Sequence, residues 1–452
     1  MSRAGRAAIT DRWDMARLLL PAAWLLTRPP LLVLALVLGS RTDITYLHYG
    51  QAMAAGAVPY RDFAVEYPPL AIAFLAIPAL TAHSFTQLSA TSYSVFFGLQ
   101  ALLLDALLYA VLARWAGTRA ALWYLLLSLI GGSLLQTFEL LPAALTTTAV
   151  LMRQQGRNRS AWLLLAEAAA TKGWPLLLAP LFLVLDMQSP RRLATNVGLS
   201  GLLFAVLILP SLLGGVIRAE QGLAFHAKRE PEVETVYANV AMVAHDVLRI
   251  PARVFTGRFA AVPEAHSSNV SSALPGWPQL PHLMLVVLLV LGLLRTLPRV
   301  RGNVAMLPSS AAFLVGLFML GFSVLETQYI LWLAPLEALV LARAAPSVSR
   351  GQAIPWVRLG GAVSLIFFAV FGHLLRIQWN SLLAMQPGAV GMAIVRNACL
   401  VLALVFLWRC IPSTVQHQDA EFGRARQGRP RLCRSPTLPG SLTRLARDHS
   451  QQ

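Results

Sequence analysis

The stretch MLVVLLVLGLL, residues 284–294, is one of several apolar runs that decide the fold of this chain. Other runs are LLVLALVL at residues 31–38, LLLDALLYAVL at 102–112 and IFFAV at 366–370. A bilayer core about 30 Å thick needs roughly 20 mostly apolar residues for each helical crossing, and runs suited to this recur along the chain. Of the 452 residues 56% are hydrophobic and 13% are charged, whereas a soluble domain carries about 25% charged residues. The sequence therefore predicts an all-α, polytopic integral membrane protein.

The distribution of charge predicts how the chain is oriented. Lys and Arg number 37 against 20 Asp and Glu, which makes the formal net charge +17. The cations lie in short clusters between apolar runs, as the positive-inside rule expects of cytoplasmic loops, so no nucleic-acid partner is expected. The N-terminus carries four of them and is predicted to be cytoplasmic: Arg3, Arg6, Arg12 and Arg17.

The first span is predicted from about Pro21 to Gly39, which places the residues from Arg41 onward outside the cytoplasm. Arg28 falls inside this window, so we expect it either to snorkel to the interface or to precede the true start of the span. The basic start and apolar core resemble a signal peptide, but no A-x-A cleavage site follows them, so an uncleaved first helix is expected.

The remaining basic clusters mark further internal loops and put both termini in the cytoplasm. They lie at residues 114–119, 153–159, 191–192, 295–301, 343–350 and beyond Ile411. With about twelve crossings, every basic cluster falls on the cytoplasmic side, provided that two conditions hold. Pro69–Ala82 must be an interfacial or re-entrant helix, and Ser160–Leu185 must be two half-spans that meet near Lys172 and Pro175, since broken helices are tolerated where they line a polar cavity.

The predicted organisation has three parts: a cytoplasmic basic N-terminus (1–20), a transmembrane domain (21–411) and a disordered, basic, cytoplasmic tail (412–452). The transmembrane domain carries two long external loops, residues 41–70 and 221–280. The Arg-, Pro- and Ser-rich tail has few apolar residues with which to form a core, and it is expected at most to contact anionic membrane lipids.

Because successive loops alternate between the two sides of the membrane, the polar residues able to do chemistry are predicted to lie on the external side. They are Asp43, Asp62, Glu66, Glu139, Lys172, His226, Arg229, Glu234, Glu326 and Gln328. Within the second external loop, Val236–Leu248 is predicted to form a helix lying on the membrane. Cys399, Cys410 and Cys433 form no C-x-x-C pair, so neither a zinc site nor a disulfide framework is expected.

Asp43 follows the end of the first span, where a carboxylate can act as general base on a hydroxyl delivered at the membrane surface. The alternative is that Asp43 caps a helix, since Thr and Asp are favoured N-cap residues. Downstream, Tyr67-Pro68-Pro69 predicts an extended backbone followed by a helix that starts at a proline, because a residue before proline avoids the helical region. Such a loop is rigid enough to position a side chain.

Five segments resemble glycosyltransferase family 87, membrane mannosyltransferases of the C-type superfamily found mainly in actinobacteria. The first loop matches at Asp43, Tyr46, Gly56, Pro59-Tyr60, Asp62-Phe63 and Glu66-Tyr67-Pro68-Pro69. Later matches are Phe138-Glu139-Leu140-Leu141-Pro142, Lys172-Gly173-Trp174-Pro175, His226-Ala227-Lys228-Arg229 with Glu234, and Gln328-Tyr329-Ile330-Leu331-Trp332. They span roughly residues 20–345 in the family's order. Two departures are Glu139, where Asp is commoner, and Glu230-Pro231 after Arg229.

The resemblance implies a C-type glycosyltransferase-like helical bundle and a reaction outside the cytoplasm. A mannosyl or similar residue would pass, with inversion, from a polyprenyl-phosphate carrier to a lipid-linked or glycan acceptor. Asp43 would be the general base, and Lys172, His226 and Arg229 would bind the leaving phosphate. Substrate-binding or loop-shaping roles would fall to Tyr46, Tyr60, Asp62, Glu66, Tyr67, Glu139, Glu234, Gln328 and Tyr329. No cofactor is expected. Asp43, Asp62 and Glu66 could bind a divalent cation, but a phosphate site made of cationic side chains, without a metal, is favoured.

Each of these assignments has a simpler alternative. Lys172 can be a snorkelling residue at a helix end, and His226 an ordinary loop residue. Arg229, with acidic neighbours at 230, 232 and 234, can belong to a solvated salt-bridge cluster of little energetic weight. Gln328 and Tyr329 can be a helix start and an interfacial aromatic residue.

Other functions remain open beside the transferase. A transporter or flippase of a lipid-linked sugar would need polar groups at mid-depth, where Asp105, Glu167 and Glu337 are the candidates. An inactive accessory protein of the same fold, or an enzyme using arabinose, would share most of the pattern. The sequence has no P-loop or dinucleotide-binding glycine motif, which is consistent with a lipid-phosphate donor.

Overall fold

The structure is a computed structural model that describes residues 3–37, 42–129, 134–259, 262–277, 279–343 and 353–411. Within these ranges only the backbone is described for residues 3–18, 218–219, 221–228, 258–259, 262–266 and 353–355. The predicted tail, 412–452, and Arg41 lie outside the described residues.

Helices dominate the part of the chain that the structure describes, and they are numbered here in chain order. The helices are α1 (Arg3–Val37), α2 (Ile44–Ala54), α3 (Pro69–Phe85), α4 (Ala90–Trp115), α5 (Thr118–Leu129), α6 (Leu140–Gln154), α7 (Asn158–Thr171), α8 (Ala179–Asp186), α9 (Pro190–Lys228), α10 (Val236–Leu248), α11 (Leu280–Gly302), α12 (Leu307–Gly321), α13 (Ile330–Ala342), α14 (Ala353–Ile377), α15 (Trp379–Leu383) and α16 (Pro387–Cys410), and the strands are β1 (Ala252–Phe259) and β2 (Val262–Ser272).

Seven helical stretches among the described residues are long and apolar enough to cross a membrane. They are Leu19–Val37, Ala90–Trp115, Pro190–Ile217, Leu280–Gly302, Val304–Gly321, Trp356–Ile377 and Pro387–Cys410. Shorter apolar helices lie at Pro69–Phe85, Thr118–Leu129, Trp174–Asp186, Val236–Leu248 and Thr327–Ala342. The chain is therefore a polytopic helical membrane protein, as predicted. The total of about twelve crossings stays a prediction, and so does the orientation.

The predicted interruption of the helix near Lys172 is present. α7 ends at Thr171, and Lys172 follows with an extended backbone (φ −159°, ψ 136°). A 3₁₀ turn at Trp174–Leu178 then leads into α8. The break frees the Lys172 side chain from the helix and turns the chain at Pro175. The other segment in question, α3, is a 17-residue helix packed against α2, α4, α7 and α9; its predicted interfacial placement is untested.

Arg28 does not snorkel, and this expectation was wrong. Its side chain is fully buried and its Nε lies 3.1 Å from Oδ2 of Asp105 on α4. Asp105 also accepts hydrogen bonds from Trp24 Nε1 at 2.7 Å and Tyr124 Oη at 2.5 Å, and Arg28 donates to Ser128 Oγ at 2.5 Å. A buried charge is tolerated when it is paired and hydrogen-bonded, so this network joins α1, α4 and α5 from inside.

The segment 221–280, predicted to be the second external loop, contains the predicted helix, α10, and also an antiparallel β-hairpin that was not predicted. β1 and β2 pair from Ala252 opposite Ser272 to Gly257 opposite Ser267. The chain before α10 joins the hairpin, because Val270 N donates to Pro231 O at 2.8 Å and Val233 N donates to Ser268 O at 3.0 Å. The hairpin therefore anchors the segment that follows Arg229.

Candidate active site

Asp43 is the N-cap of α2, as the simpler reading of the sequence proposed. Its Oδ1 accepts a hydrogen bond from the backbone N–H of Thr45 at 2.8 Å, while the residue as a whole is exposed. Capping does not exclude the role of a base, because the cap uses one carboxylate oxygen and fixes the direction of the other. The structure thus places an oriented carboxylate at the start of the first loop.

The rest of the first loop is held by tyrosines. Tyr49 donates a hydrogen bond to the carboxylate of Glu66, and Tyr60 Oη donates to the carbonyl of Tyr67 at 2.5 Å. Asp62 lies on the exposed side of the loop, where it accepts from Val58 N at 2.7 Å and pairs with Arg61. Asp62 therefore shapes a turn, whereas Glu66 points into the protein.

Helix α9 supports this loop at a kink. Gly215 has non-helical backbone angles inside α9, and a Cβ added there would lie 2.7 Å from the carbonyl oxygen of Tyr60. At Gly214 an added Cβ would lie 3.0 Å from Tyr60 Cβ. The two glycines thus let the loop backbone approach the helix closely.

Lys172 and Glu139 form the centre of the site. Lys172 Nζ lies 2.5 Å from Glu139 Oε1, and the other carboxylate oxygen accepts a hydrogen bond from Trp332 Nε1 at 2.7 Å. The Lys172 side chain keeps 21% of its surface exposed and the Glu139 side chain 2%. Three segments far apart in sequence therefore meet here, and the lysine is the member that reaches solvent-accessible space.

Aromatic rings surround the Lys172 ammonium. Its Nζ lies 5.2 Å from the ring centroid of Phe138, 4.9 Å from that of Tyr329 and 5.1 Å from that of Trp332. Such distances allow cation–π attraction. Phe138 in turn packs edge-to-face on Tyr46 at 5.7 Å and on Tyr67 at 4.9 Å. This ring cluster connects the first loop to the lysine.

A second set of charged residues, Arg229, Glu232 and Glu326, lies beside Lys172 and Glu139. Arg229 pairs with Glu232, and Gln328 donates a hydrogen bond to Glu326. Burial, followed by the charge of Glu232, raises the pKa of Glu326 to about 8, and the positive charges of Arg229 and Lys172 oppose that rise. Burial likewise raises the pKa of Glu232, again against Arg229. Both carboxyl groups therefore hold protons more readily than ordinary glutamates.

Charges from both groups act on Tyr46. Burial raises its pKa well above the ordinary value, and the negative charges of Asp43, Glu139 and Glu326 add to the rise. Glu66 is similarly placed, because burial raises its pKa while the charge of Arg229 lowers it. These charge interactions indicate that Asp43, Glu66 and the Lys172 centre lie in one region.

Two more of the predicted site residues are Glu234 and His226. Glu234 pairs with Arg396 of α16 and its backbone carbonyl accepts from Asn397 Nδ2 at 3.0 Å, so it holds the start of α10 in place. His226 lies near the end of α9, where only the backbone is described, so its role in phosphate binding stays a prediction.

Three contributors were given no role in the predicted site: Trp332, Glu326 and Arg396. The first two were visible in the sequence, since Trp332 ends the Gln328–Trp332 segment and Glu326 precedes it. Arg396 had a usable signal as well, because an arginine within an apolar run must find a partner inside the protein. Among the described residues, no group of three or more His, Cys, Asp or Glu is arranged to hold a metal ion.

Comparison with known proteins finds a distant structural similarity. No family model matches the sequence, and no curated protein matches it; the resemblance to family 87 therefore stays a prediction. The structure is similar to crystal structures of ArnT from Cupriavidus metallidurans. For the apo state the identity is 15% and the TM-score 0.43, over 89% of this chain and 78% of that one. For the form bound to undecaprenyl phosphate the identity is 15% and the TM-score 0.40, over 93% and 79%. Similarity this distant leaves the function to be argued from the site itself.

Proposed function

We propose that this protein is a membrane glycosyltransferase that moves a sugar from a polyprenyl-phosphate carrier to a lipid-linked or glycan acceptor outside the cytoplasm. The observation that carries the proposal is the convergence on Lys172. A partly exposed lysine side chain, its buried carboxylate partner and a set of rings lie next to a loop that begins with an oriented aspartate. Mannose is the sugar that the family resemblance implies.

The proposed chemistry needs one base and one anion-binding group. The acceptor hydroxyl oxygen attacks the anomeric carbon while the bond from that carbon to the phosphate oxygen breaks, so the configuration inverts. The proton of the hydroxyl passes to Asp43, and the polyprenyl phosphate leaves with the bonding electrons. The cap bond to Thr45 N supports this role because it holds the carboxylate in one orientation.

Lys172 is the proposed partner of the leaving phosphate. It donates to Glu139 and keeps part of its surface exposed, so an ammonium donor remains available to an incoming oxygen. Arg229 would add a second positive charge, shared with Glu232. The raised pKa values of Glu232 and Glu326 limit the negative charge nearby, and this supports binding of an anion in a region rich in carboxyl groups.

The test is transfer by the purified protein in bilayer discs from a panel of labelled polyprenyl-phosphate sugars. Asp43→Asn keeps a good N-cap residue but removes the base, so transfer should fall by about 100-fold or more with an unchanged melting temperature. Asn at position 43 with parental activity would disprove the base assignment. Binding of the lipid without transfer of any sugar would instead favour a flippase or an inactive accessory protein.

A further inference from the structure

Arg396 lies where a helix expected to cross the membrane meets the candidate site. It belongs to α16, and its side chain is fully buried. One guanidinium nitrogen pairs with the Glu234 carboxylate. The other donates to the carbonyl of Glu234 at 2.5 Å and to the carbonyl of Leu325 at 3.2 Å. A single side chain thus binds the backbones of two separate loops.

The two loops carry the Glu232 and Glu326 carboxyl groups of the site. Glu232 lies two residues before Glu234, and Glu326 directly follows Leu325. A backbone hydrogen bond from Glu232 N to Ser323 O, at 2.9 Å, joins the same two loops. The positions of the Arg396 contacts therefore determine how close the Glu232 and Glu326 side chains lie to each other.

The guanidinium itself is oriented by its neighbour. Asn397 Oδ1 accepts from Arg396 Nε at 3.2 Å and from a terminal nitrogen at 3.1 Å, and Asn397 Nδ2 donates to Asn239 Oδ1 at 2.6 Å. Lysine, with one nitrogen, cannot reproduce donors in a fixed plane aimed at both loops. The arrangement is specific to arginine.

We infer that Arg396 is a positioning residue, which holds the loop of Glu232 against the loop of Glu326 and so sets the spacing of these two carboxyl groups next to Lys172 and Arg229. The inference rests on the proposed function in one respect: the pair matters because it keeps the phosphate-binding region from becoming strongly negative. Arg396 itself is fully buried and does not meet the substrate.

The test follows the protonation of Glu326 directly, in the full chain in bilayer discs without substrate. Infrared difference spectra recorded across pH report the carbonyl stretch of protonated carboxyl groups, and Glu326→Gln assigns the band. In Arg396→Lys the charge remains but the two loops separate. The titration midpoint of Glu326 should then fall by about one pH unit, and binding of polyprenyl phosphate should weaken by about tenfold or more.

The control is Arg153→Lys, which alters a buried arginine paired with Asp186 at 2.7 Å, away from this site. It should lose stability like Arg396→Lys but leave the midpoint in place. An unchanged midpoint in folded Arg396→Lys would overturn the inference. If Arg396→Lys fails to fold, Asn397→Ala replaces it, a substitution that changes no charge. We then expect a smaller shift of the midpoint in the same direction. An unchanged midpoint would count against the inference. A shifted midpoint in a protein that binds no polyprenyl phosphate would retain the positioning role and reject the proposed function.

Discussion

At the scale of single residues, Lys172 has both a structural and a proposed chemical role. Removing it alone leaves the buried Glu139 carboxylate without its cation, which destabilises the folded protein. The double variant Lys172→Met with Glu139→Gln removes both charges and keeps an acceptor for Trp332. We expect a melting temperature near that of the parent and binding of polyprenyl phosphate weakened by about 100-fold, measured by photolabelling with a labelled lipid phosphate. Parental binding would exclude Lys172 from the phosphate site.

The raised pKa of Glu326 predicts that binding of a phosphate depends on pH. Glu326 is neutral below its raised pKa of about 8 and negative above it. As pH rises through that value, a new negative charge appears beside Lys172 and Arg229, so binding of an anionic phosphate should weaken by about tenfold, a change of ~1.4 kcal/mol. The measurement is affinity for polyprenyl phosphate between pH 6 and about 9, a range chosen around that raised pKa.

Glu326→Gln is the matched control for this pH dependence. Gln cannot ionise but can still accept a bond from Gln328, so binding should lose most of its decline at high pH. A decline of the same size in the Gln variant would assign the titration to another group.

At the scale of secondary-structure elements, we expect activity and stability to depend on the close approach of the first loop to α9. Gly215→Ala places a Cβ against the Tyr60 carbonyl, so the loop must move away from the helix, and we expect lower transfer activity and a lower melting temperature. Gly201→Ala in the same helix meets nothing within 4 Å and should be neutral or stabilising by up to ~1 kcal/mol. Equal effects of the two substitutions on activity would show that loop and helix are not coupled.

The break in the helix after Thr171 is a feature that could be predicted from the sequence. Lys172 and Pro175 predicted it, since proline removes a backbone donor and restricts the preceding residue. The hairpin of β1 and β2 could not be anticipated in the same way. The two strands lack a strong alternating pattern, although β2 is rich in serine. They are held by pairing with each other, and β2 also pairs with residues 231–233, which is a non-local interaction.

At the scale of the whole molecule, the predicted orientation in the membrane gives the next test. In a chain whose native cysteines are replaced by serine, Asp43→Cys should react with an impermeant maleimide added outside intact cells. Arg157→Cys, in an exposed turn between α6 and α7, should react only after permeabilisation. Labelling of position 157 alone in intact cells would show that the true topology is the reverse of the predicted one and that the candidate site faces the cytoplasm.

The amino-acid sequence by itself determined the class of the protein and the segments that make up the candidate site. Apolar runs of spanning length leave few alternatives, because backbone polar groups in lipid must be satisfied within helices or closed barrels. Asp43, Glu139, Lys172 and Gln328 were each recognisable from local pattern, since caps, breaks and charged residues between apolar runs depend on near neighbours.

Only the tertiary structure decided which of these residues meet and which serve the fold. Burial and pairing depend on partners far apart in the chain: Trp332 on Glu139, Asp105 on Arg28, Arg396 on Glu234. A charged residue within an apolar run must find some partner, and the sequence does not say which one. Packing supplied that answer, and it turned Arg28 from an expected interfacial residue into a buried one.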